Sequence, residues 1–309
     1  MQFFKPNFWD KNNFSFLSII LLPITWIFFL VQLFNRLITK EKIFSIPIIC
    51  VGNIYLGGTG KTPLCIEIFS ILKNLDKKPV FIKKNYIAFK DETNLLKQTG
   101  SVYESKKRIY GINNAIKNNA GIAILDDGFQ DFSIKKNLSI VCFNEKQWIG
   151  NGLTLPSGPL REKLSALNRA NFVMINGKKN TNIENKILNY NKKIKIFYSK
   201  YKSINIDAFK DKKIICFAGI GNPINFFSLL LEYNLNIIEK INFPDHYNYS
   251  NMELENLIEK SKNNNAILLT TEKDYLRINE IYRKKINFLK IKTIIEDNDK
   301  FIEEVKKFI

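Results

Sequence analysis

Gly57-Gly58-Thr59-Gly60-Lys61-Thr62 is the string in this 309-residue sequence whose residue types most directly specify chemistry. Closely spaced glycines permit a turn whose backbone N–H groups point inward, and such a turn binds phosphate oxygens, most effectively where it opens a helix. In that setting Lys61 reaches the β and γ phosphates of a nucleotide, and the Thr62 hydroxyl ligates magnesium. Tyr55 and Leu56 lead into the turn, so the nucleotide-binding stretch runs over residues 55–62. The usual pattern G-x-x-x-x-G-K-[ST] has glycine where Tyr55 stands, and the pair Gly57-Gly58 supplies the flexibility instead.

A second group of residues offers acid–base and metal chemistry. Residues 121–125 (GIAIL) read as a buried strand that runs out into Asp126-Asp127, and a carboxylate at the carboxyl end of a strand beside a phosphate loop is where magnesium or its water is held. An Asp-Gly turn would also favour these residues, but the phosphate loop upstream makes the metal-side reading the stronger one. Asp91-Glu92, the string Leu155-Pro156-Ser157-Gly158-Pro159-Leu160-Arg161-Glu162, and Phe243-Pro244-Asp245-His246-Tyr247 are unlike generic loops. His246 is the only histidine.

These groups need a frame. Residues 43–51 (IFSIPIICV) form an apolar, β-branched run, and residues 63–75 carry helical spacing through Leu64, Ile68, Phe69, Ile71, Leu72 and Leu75. The glycine loop therefore joins a strand to a helix, with Pro63 tolerated in the first turn. Strand and helix patterns alternate onward, which predicts an α/β chain with a mostly parallel, P-loop NTPase-type sheet. Residues 1–38 form an N-terminal segment, 39–200 the P-loop kinase-type domain, and 201–309 a smaller C-terminal α/β domain, with the Lys- and Asn-rich stretch 178–193 as the linker region. In the C-terminal domain, strand 214–218 turns through Gly219-Ile220-Gly221-Asn222-Pro223, and strand 266–270 exits through Thr271-Glu272-Lys273-Asp274. Lys61 belongs to one domain and His246, a lone histidine of the kind more often structural than catalytic, to the other; were both to act in one site, it would lie in the cleft between the domains and closure would assemble it.

The N-terminal segment has its own signal. Residues 12–35 carry no charge, and 24 helical residues reach roughly 36 Å, enough for a hydrocarbon layer about 30 Å thick. Trp9 and Trp26 suit an interface, Arg36, Lys40 and Lys42 form a basic flank, and Pro23 leaves both a span and an in-plane helix open. A cleavable leader fits poorly, since no small-residue cleavage site follows. The expectation is an N-terminal membrane-associated helix that anchors the chain to a membrane surface.

The formal charge of +18 raises the question of nucleic acid. The lysines are scattered, however, and no zinc-finger spacing, recognition helix or aromatic-basic interleaving accompanies them, so no nucleic-acid partner is expected. Nor is any obligate protein partner evident. Cys50, Cys65, Cys142 and Cys216 lie in apolar stretches without a C-x-x-C pair, the pattern of reduced, buried thiols.

The strings VGN, GGTGKTP, DE-x-x-LL, LDDGFQ, PSGPLRE, FAGIGNP, FPDHY and TTEKD occur in this order. In that order the sequence resembles the tetraacyldisaccharide 4'-kinase (lipid A 4'-kinase) family over nearly its whole length. The resemblance implies ATP-dependent transfer of the γ-phosphate to the 4'-hydroxyl of a tetraacyldisaccharide 1-phosphate, with magnesium, at the cytoplasmic face of the bacterial inner membrane. By motif it implies Asp91 as general base and His246 as its orienting partner. Glu92, Asp126 and Asp127 would serve metal and phosphates, and Arg161, Glu162 and Arg108 would be further active-site groups. Departures occur where the family has S-R-G-Y-G and this chain has Lys83-Lys84-Asn85-Tyr86-Ile87, in the short interval before Asp91, and at Lys90, Thr93 and Asp131. The rival within enzymes is a membrane-associated P-loop NTPase without a lipid acceptor, and outside them a nucleotide-gated binding protein.

Overall fold

The computed structural model describes residues 6–10, 15–86 and 90–309. Ile87, expected to close the departure from S-R-G-Y-G, lies outside them. Two compact units emerge from the contacts. Among the described residues, one comprises residues 6–10, 15–85, 99–200 and 294–309, and the other residues 86, 90–98 and 201–293. The segment bearing Asp91 and Glu92 thus groups with residues 201–293, and the C-terminal segment groups with the phosphate-loop unit.

In the phosphate-loop unit, β1 (Ile48–Gly52) is buried along its whole length. It pairs in parallel with β4 (Ile122–Asp126) on one side and with β5 (Leu138–Asn144) on the other. Beyond β4 come β2 (Pro79–Lys84) and β3 (Val102–Ser105), and beyond β5 come β6 (Phe172–Asn176), β7 (Lys195–Ser203) and β12 (Ile291–Ile295). Strands buried on both faces read as continuous apolar runs because helices cover each side of a parallel sheet. One such cover is α3 (Lys61–Asn74), whose Leu64, Cys65, Ile68, Phe69, Ile71 and Leu72 are buried. Their spacing forms one broad helical stripe, so the periodicity that predicts the helix also docks it. The P-loop and Asp126 leave the sheet at the carboxyl ends of two neighbouring strands, which brings them to the same crevice.

The other unit is built on a parallel sheet in the order β11 (Asn287–Leu289), β10 (Ile267–Thr271), β8 (Ile214–Ala218), β9 (Ile237–Asn242). Along β8 the side chains alternate between two cores. Ile214, Cys216 and Ala218 pack with Phe226, Leu229 and Leu230 of α7 (Pro223–Glu232), whereas Ile215 and Phe217 pack with Leu254, Leu257 and Ile258 of α8 (Asn251–Asn263). The period of two in the strand therefore determines which helix covers which face.

The N-terminal segment departs from the expected span. It forms α1 (Phe16–Ile20) and α2 (Leu22–Ile38), which meet at Leu21, with Pro23 in the first turn of α2. Among the described residues no helix is long and apolar enough to cross a membrane. The 17 residues of α2 rise only about 26 Å, which corrects the membrane-crossing option. The polar residues explain how the segment is held. Ser18 and Thr25 are buried, and the Thr25 and Ser157 hydroxyls bond at 2.7 Å. The Ser157 N–H donates to Thr25 Oγ1 at 3.2 Å, Asn151 Nδ2 donates to Ser18 Oγ at 3.3 Å, and Gln32 Nε2 donates to the Arg161 carbonyl at 3.1 Å. Ser18, Thr25 and Gln32 are seven residues apart and so share one face. The apolar residues point the other way, with Trp26, Ile27, Leu30, Phe34 and Leu37 all more than half exposed. This helix is inverted: polar side toward the protein, apolar side outward. Thr25→Val, which keeps shape and removes the hydroxyl, should cost about 1–3 kcal/mol because Ser157 is left buried with unmet hydrogen bonds. Thermal unfolding of the variant beside the parent measures it.

Candidate active site

At the phosphate loop, Gly57 and Gly60 have φ of 128° and 90°, values that only glycine adopts without strain. Gly60 caps the N-terminus of α3 in the left-handed region, so the loop N–H groups and the helix N-terminus face one volume. Asn53 Nδ2 fastens the loop from inside, donating to Thr59 Oγ1 at 2.9 Å and to the Gly57 carbonyl at 3.3 Å. Tyr55 takes another part than the sequence position suggests. Its side chain is fully buried, its hydroxyl donates to Asp10 at 3.3 Å, and burial beside that carboxylate drives the phenol pKa far up. Only the backbone at Tyr55 is placed to serve the loop, together with Leu56, whose N–H donates to the Pro159 carbonyl at 2.8 Å.

Asp126 and Asp127 leave β4 in different directions. Asp126 is 1% exposed; its Oδ2 accepts from Thr62 Oγ1 at 3.2 Å and forms an ion pair with Lys83 at the end of β2. Asp127 adopts a left-handed φ of 58°, a conformation that aspartate tolerates better than most residues. Its carboxylate turns out to Arg161 Nη1, at 2.8 and 3.0 Å, with Lys61 Nζ at 3.9 Å. Arg108 acts on the same turn from behind, donating to the Asp127 carbonyl at 2.7 Å and to Asp131 at 3.3 Å. Burial alone would raise the Asp131 pKa, but bonds from Ser133 and the charge of Arg108 hold it below the ordinary value. Glu162 accepts from Arg169 at 2.8 and 3.1 Å and from Gln130 at 3.1 Å, so it fastens the segment after Arg161.

The other unit carries the second set. α4 (Lys90–Lys97) presents Asp91, 2% exposed, and Glu92. Three side-chain nitrogens surround the Asp91 Oδ2 atom: His246 Nδ1 at 3.3 Å, Arg277 Nε at 3.4 Å and Lys273 Nζ at 3.8 Å, the last two cationic. Burial pushes this carboxyl pKa up, yet His246, Lys273 and Arg277 outweigh it and hold it below the usual carboxylate value. The His246 nitrogen lies close to Oδ2 but off the line of a hydrogen bond. By geometry neither Asp91 oxygen accepts a hydrogen bond, so we read these contacts as charge–charge attraction. His246 has a left-handed φ of 55° and is fixed by its own N–H, which donates to the Gly219 carbonyl at 3.0 Å. A histidine held there is strained, which is typical of functional positions. Glu92 accepts from Lys273 at 2.8 Å. Among the described residues no group of three or more His, Cys, Asp or Glu is arranged to hold a metal.

Comparison with known proteins gives this arrangement a family. The model of the family described as Tetraacyldisaccharide-1-P 4'-kinase matches residues 17–309. The chain belongs to the tetraacyldisaccharide 4'-kinase family. Membership makes it a kinase, a transferase of lipid A biosynthesis. A tetraacyldisaccharide 4'-kinase of Pelagibacter ubique (strain HTCC1062) is 42% identical, covering 99% of this chain and 98% of that protein. A second, from Rickettsia bellii (strain OSU 85-389), is 35% identical over 89% of each. The crystal structure of LpxK from Aquifex aeolicus in complex with ATP superposes with a TM-score of 0.72 at 24% identity, covering 95% of this chain and all of the other. That likeness establishes a shared fold.

Within this family member, four charged residues at the two sets went unmarked as site residues in the sequence. Lys83 entered only as a departure from S-R-G-Y-G, Lys273 only as part of a polar strand exit, and Arg169 and Arg277 carry no motif of their own. Lys273 was visible as part of TTEKD, although its partners Asp91 and Glu92 are some 180 residues earlier. Asp274, in the same string, is fully buried and receives the Gly219 N–H, Tyr249, Thr271 and Arg277. It anchors Arg277, which in turn faces Asp91.

Proposed function

We propose that this chain transfers the γ-phosphate of ATP to the 4'-hydroxyl of a tetraacyldisaccharide 1-phosphate, with Asp91 as the base that takes the hydroxyl proton. The observation that carries the base assignment is the state of Asp91: a buried carboxylate, ringed by cations, whose oxygens accept no hydrogen bond. A sugar hydroxyl offers the missing donor, and a positioned base typically contributes 10²–10⁴-fold. His246, Lys273 and Arg277 keep Asp91 ionised and fixed in direction.

Phosphoryl transfer passes through a loose transition state whose charge spreads over the transferred group, so the protein contributes mainly positioning and electrostatics. The loop N–H groups hold the phosphates, and Lys61 and Arg161 supply positive charge. The Asp127 carboxylate lies between both cations and orients them. Magnesium fits the donor set on the phosphate side: the Thr62 hydroxyl and Asp126 carboxylate are hard oxygen ligands already 3.2 Å apart, as a small oxygen-preferring cation requires. When bound, it would offset the charge on the β and γ oxygens.

The deciding assay supplies γ-labelled ATP and tetraacyldisaccharide 1-phosphate to detergent-solubilised protein. Label on the disaccharide is the expected result. Label only in inorganic phosphate would favour an NTPase, and bound but unconverted ATP a binding protein. His246→Ala should reduce transfer at least about tenfold, less than loss of the base itself; full transfer by that variant would remove His246 from the mechanism.

Membrane association belongs to the same reading. The outward face of α2 presents Trp26, Ile27, Leu30 and Phe34, and the basic flank adds about 1 kcal/mol per nearby Lys or Arg on an anionic surface. The helix then lies in the plane of the cytoplasmic leaflet of the inner membrane, where a tetraacylated substrate resides. Sedimentation with vesicles containing anionic lipid should pull down the parent and leave a Trp26→Ser, Ile27→Ser, Leu30→Ser, Phe34→Ser variant largely in the supernatant. Equal sedimentation of the two would refute the docking face.

A further inference from the structure

Lys83 is a cation of the phosphate-loop unit to which the proposed mechanism gives no part. It is 4% exposed, at the carboxyl end of β2, and its ammonium forms an ion pair with Asp126 Oδ2, the oxygen that also receives the Thr62 hydroxyl. The position follows from the sheet: Ile82 of β2 lies opposite Leu125 of β4 in parallel register, so the next residues along, Lys83 and Asp126, emerge side by side. Side-chain exposure in this pair is 5% and 0%, whereas in the Arg161–Asp127 pair it is 25% and 30%. The first pair is shielded from water and salt, and the second is not.

We propose that Lys83 is a built-in cation on Asp126 that makes binding of a divalent metal conditional on nucleotide. The inference rests on the reading of Thr62 and Asp126 as the metal-side oxygens. With Lys83 in place, the ion pair nearest Thr62 carries no net charge to attract a free divalent ion, and an arriving ion meets a fixed ammonium at short range. Asp127 is engaged by Arg161 in the same way. The negative charge that a magnesium-sized ion needs must then come from nucleotide phosphates, and such ions ordinarily bind through one or two carboxylates plus those phosphates. The consequence is an order of events: metal enters with the nucleotide rather than ahead of it. The pair also has a structural side, since an unpartnered buried carboxylate is costly; a purely structural pair, however, sets no requirement for nucleotide in metal binding.

The test is a titration of the full-length protein in detergent with Mn²⁺, free ion being read by electron paramagnetic resonance, with no nucleotide and with a non-hydrolysable ATP analogue. The parent should bind Mn²⁺ with the analogue and at least about tenfold more weakly without it. Lys83→Met should gain at least about tenfold in nucleotide-free Mn²⁺ affinity, and Lys83→Arg should behave as the parent. Thermal unfolding confirms that each variant is folded. A folded Lys83→Met with unchanged nucleotide-free affinity overturns the role of Lys83 and leaves the metal reading intact. If that variant does not fold, the parent still decides: equal Mn²⁺ affinity with and without the analogue overturns the proposal. Absence of Mn²⁺ binding even with the analogue overturns the metal reading of Thr62 and Asp126, and this proposal with it.

Discussion

Lys61→Ala is expected to lower phosphoryl transfer by about 10²–10³-fold or more, the loss seen when one preorganised group that stabilises transition-state charge is removed. The protein should remain folded. Lys61 Nζ lies 3.9 Å from its nearest carboxylate, on Asp127, and that carboxylate keeps two contacts with Arg161 when the amine is gone. An ion pair so long and partly exposed contributes little to stability. Single-turnover transfer from labelled ATP, beside thermal unfolding, separates the two effects. Transfer within tenfold of the parent would mean that Lys61 does not contact the transferring group.

Asp91→Asn should lower kcat by about 10²–10⁴-fold, the range for a general base, while ATP affinity stays near the parent value, because Asp91 has no part in holding the phosphates. The amide preserves shape and removes both charge and basicity. Its neighbours also determine the pH behaviour. His246, Lys273 and Arg277 hold the Asp91 pKa below the ordinary carboxylate value, which is near 4. A depressed folded-state pKa means that the carboxylate contributes stability above the unfolded-state value, and that this contribution is lost as pH falls through the folded-state value. As a base, Asp91 is therefore ionised throughout the neutral range, and its acid limb in the rate profile should lie below about pH 4. A limb above about pH 5 that disappears in Asp91→Asn would contradict the cation ring. Lys273→Met should move the limb upward, since burial is then opposed by fewer positive charges.

Much of the phosphate side was legible because its chemistry is local. Glycines at φ values closed to other residues, a lysine and a threonine at fixed offsets, and carboxylates at a strand end are contiguous in the chain, and an apolar strand before and a helical stripe after fix their context. Asp91 and His246 were legible as strings, and their meeting only through the family resemblance, because it depends on α4 packing within the unit built from residues 201–293. Lys83 illustrates the harder limit. Lys83-Lys84 stands out in the sequence only as a departure from S-R-G-Y-G, yet parallel register buries the first lysine against Asp126. Tyr55 shows the converse: it stands within the loop motif, but its ring goes into the interior. The apolar N-terminal run hid its own docking code, since Ser18, Thr25 and Gln32 are diluted by the large side chains between them.

That docking code constrains chain length more tightly than composition. Between Ser18 and Gln32 the outward positions make none of the inward hydrogen bonds, so many residue choices there leave the grip on the 154–161 loop unchanged. Helical phase is another matter. One extra residue between Thr25 and Gln32 turns Gln32 by about 100°, removing its amide from the Arg161 carbonyl, so that the Arg161 backbone keeps only the bond from its N–H to the Ile54 carbonyl. This stretch should accept many substitutions and almost no insertion or deletion, the reverse of the tolerance expected of a surface loop.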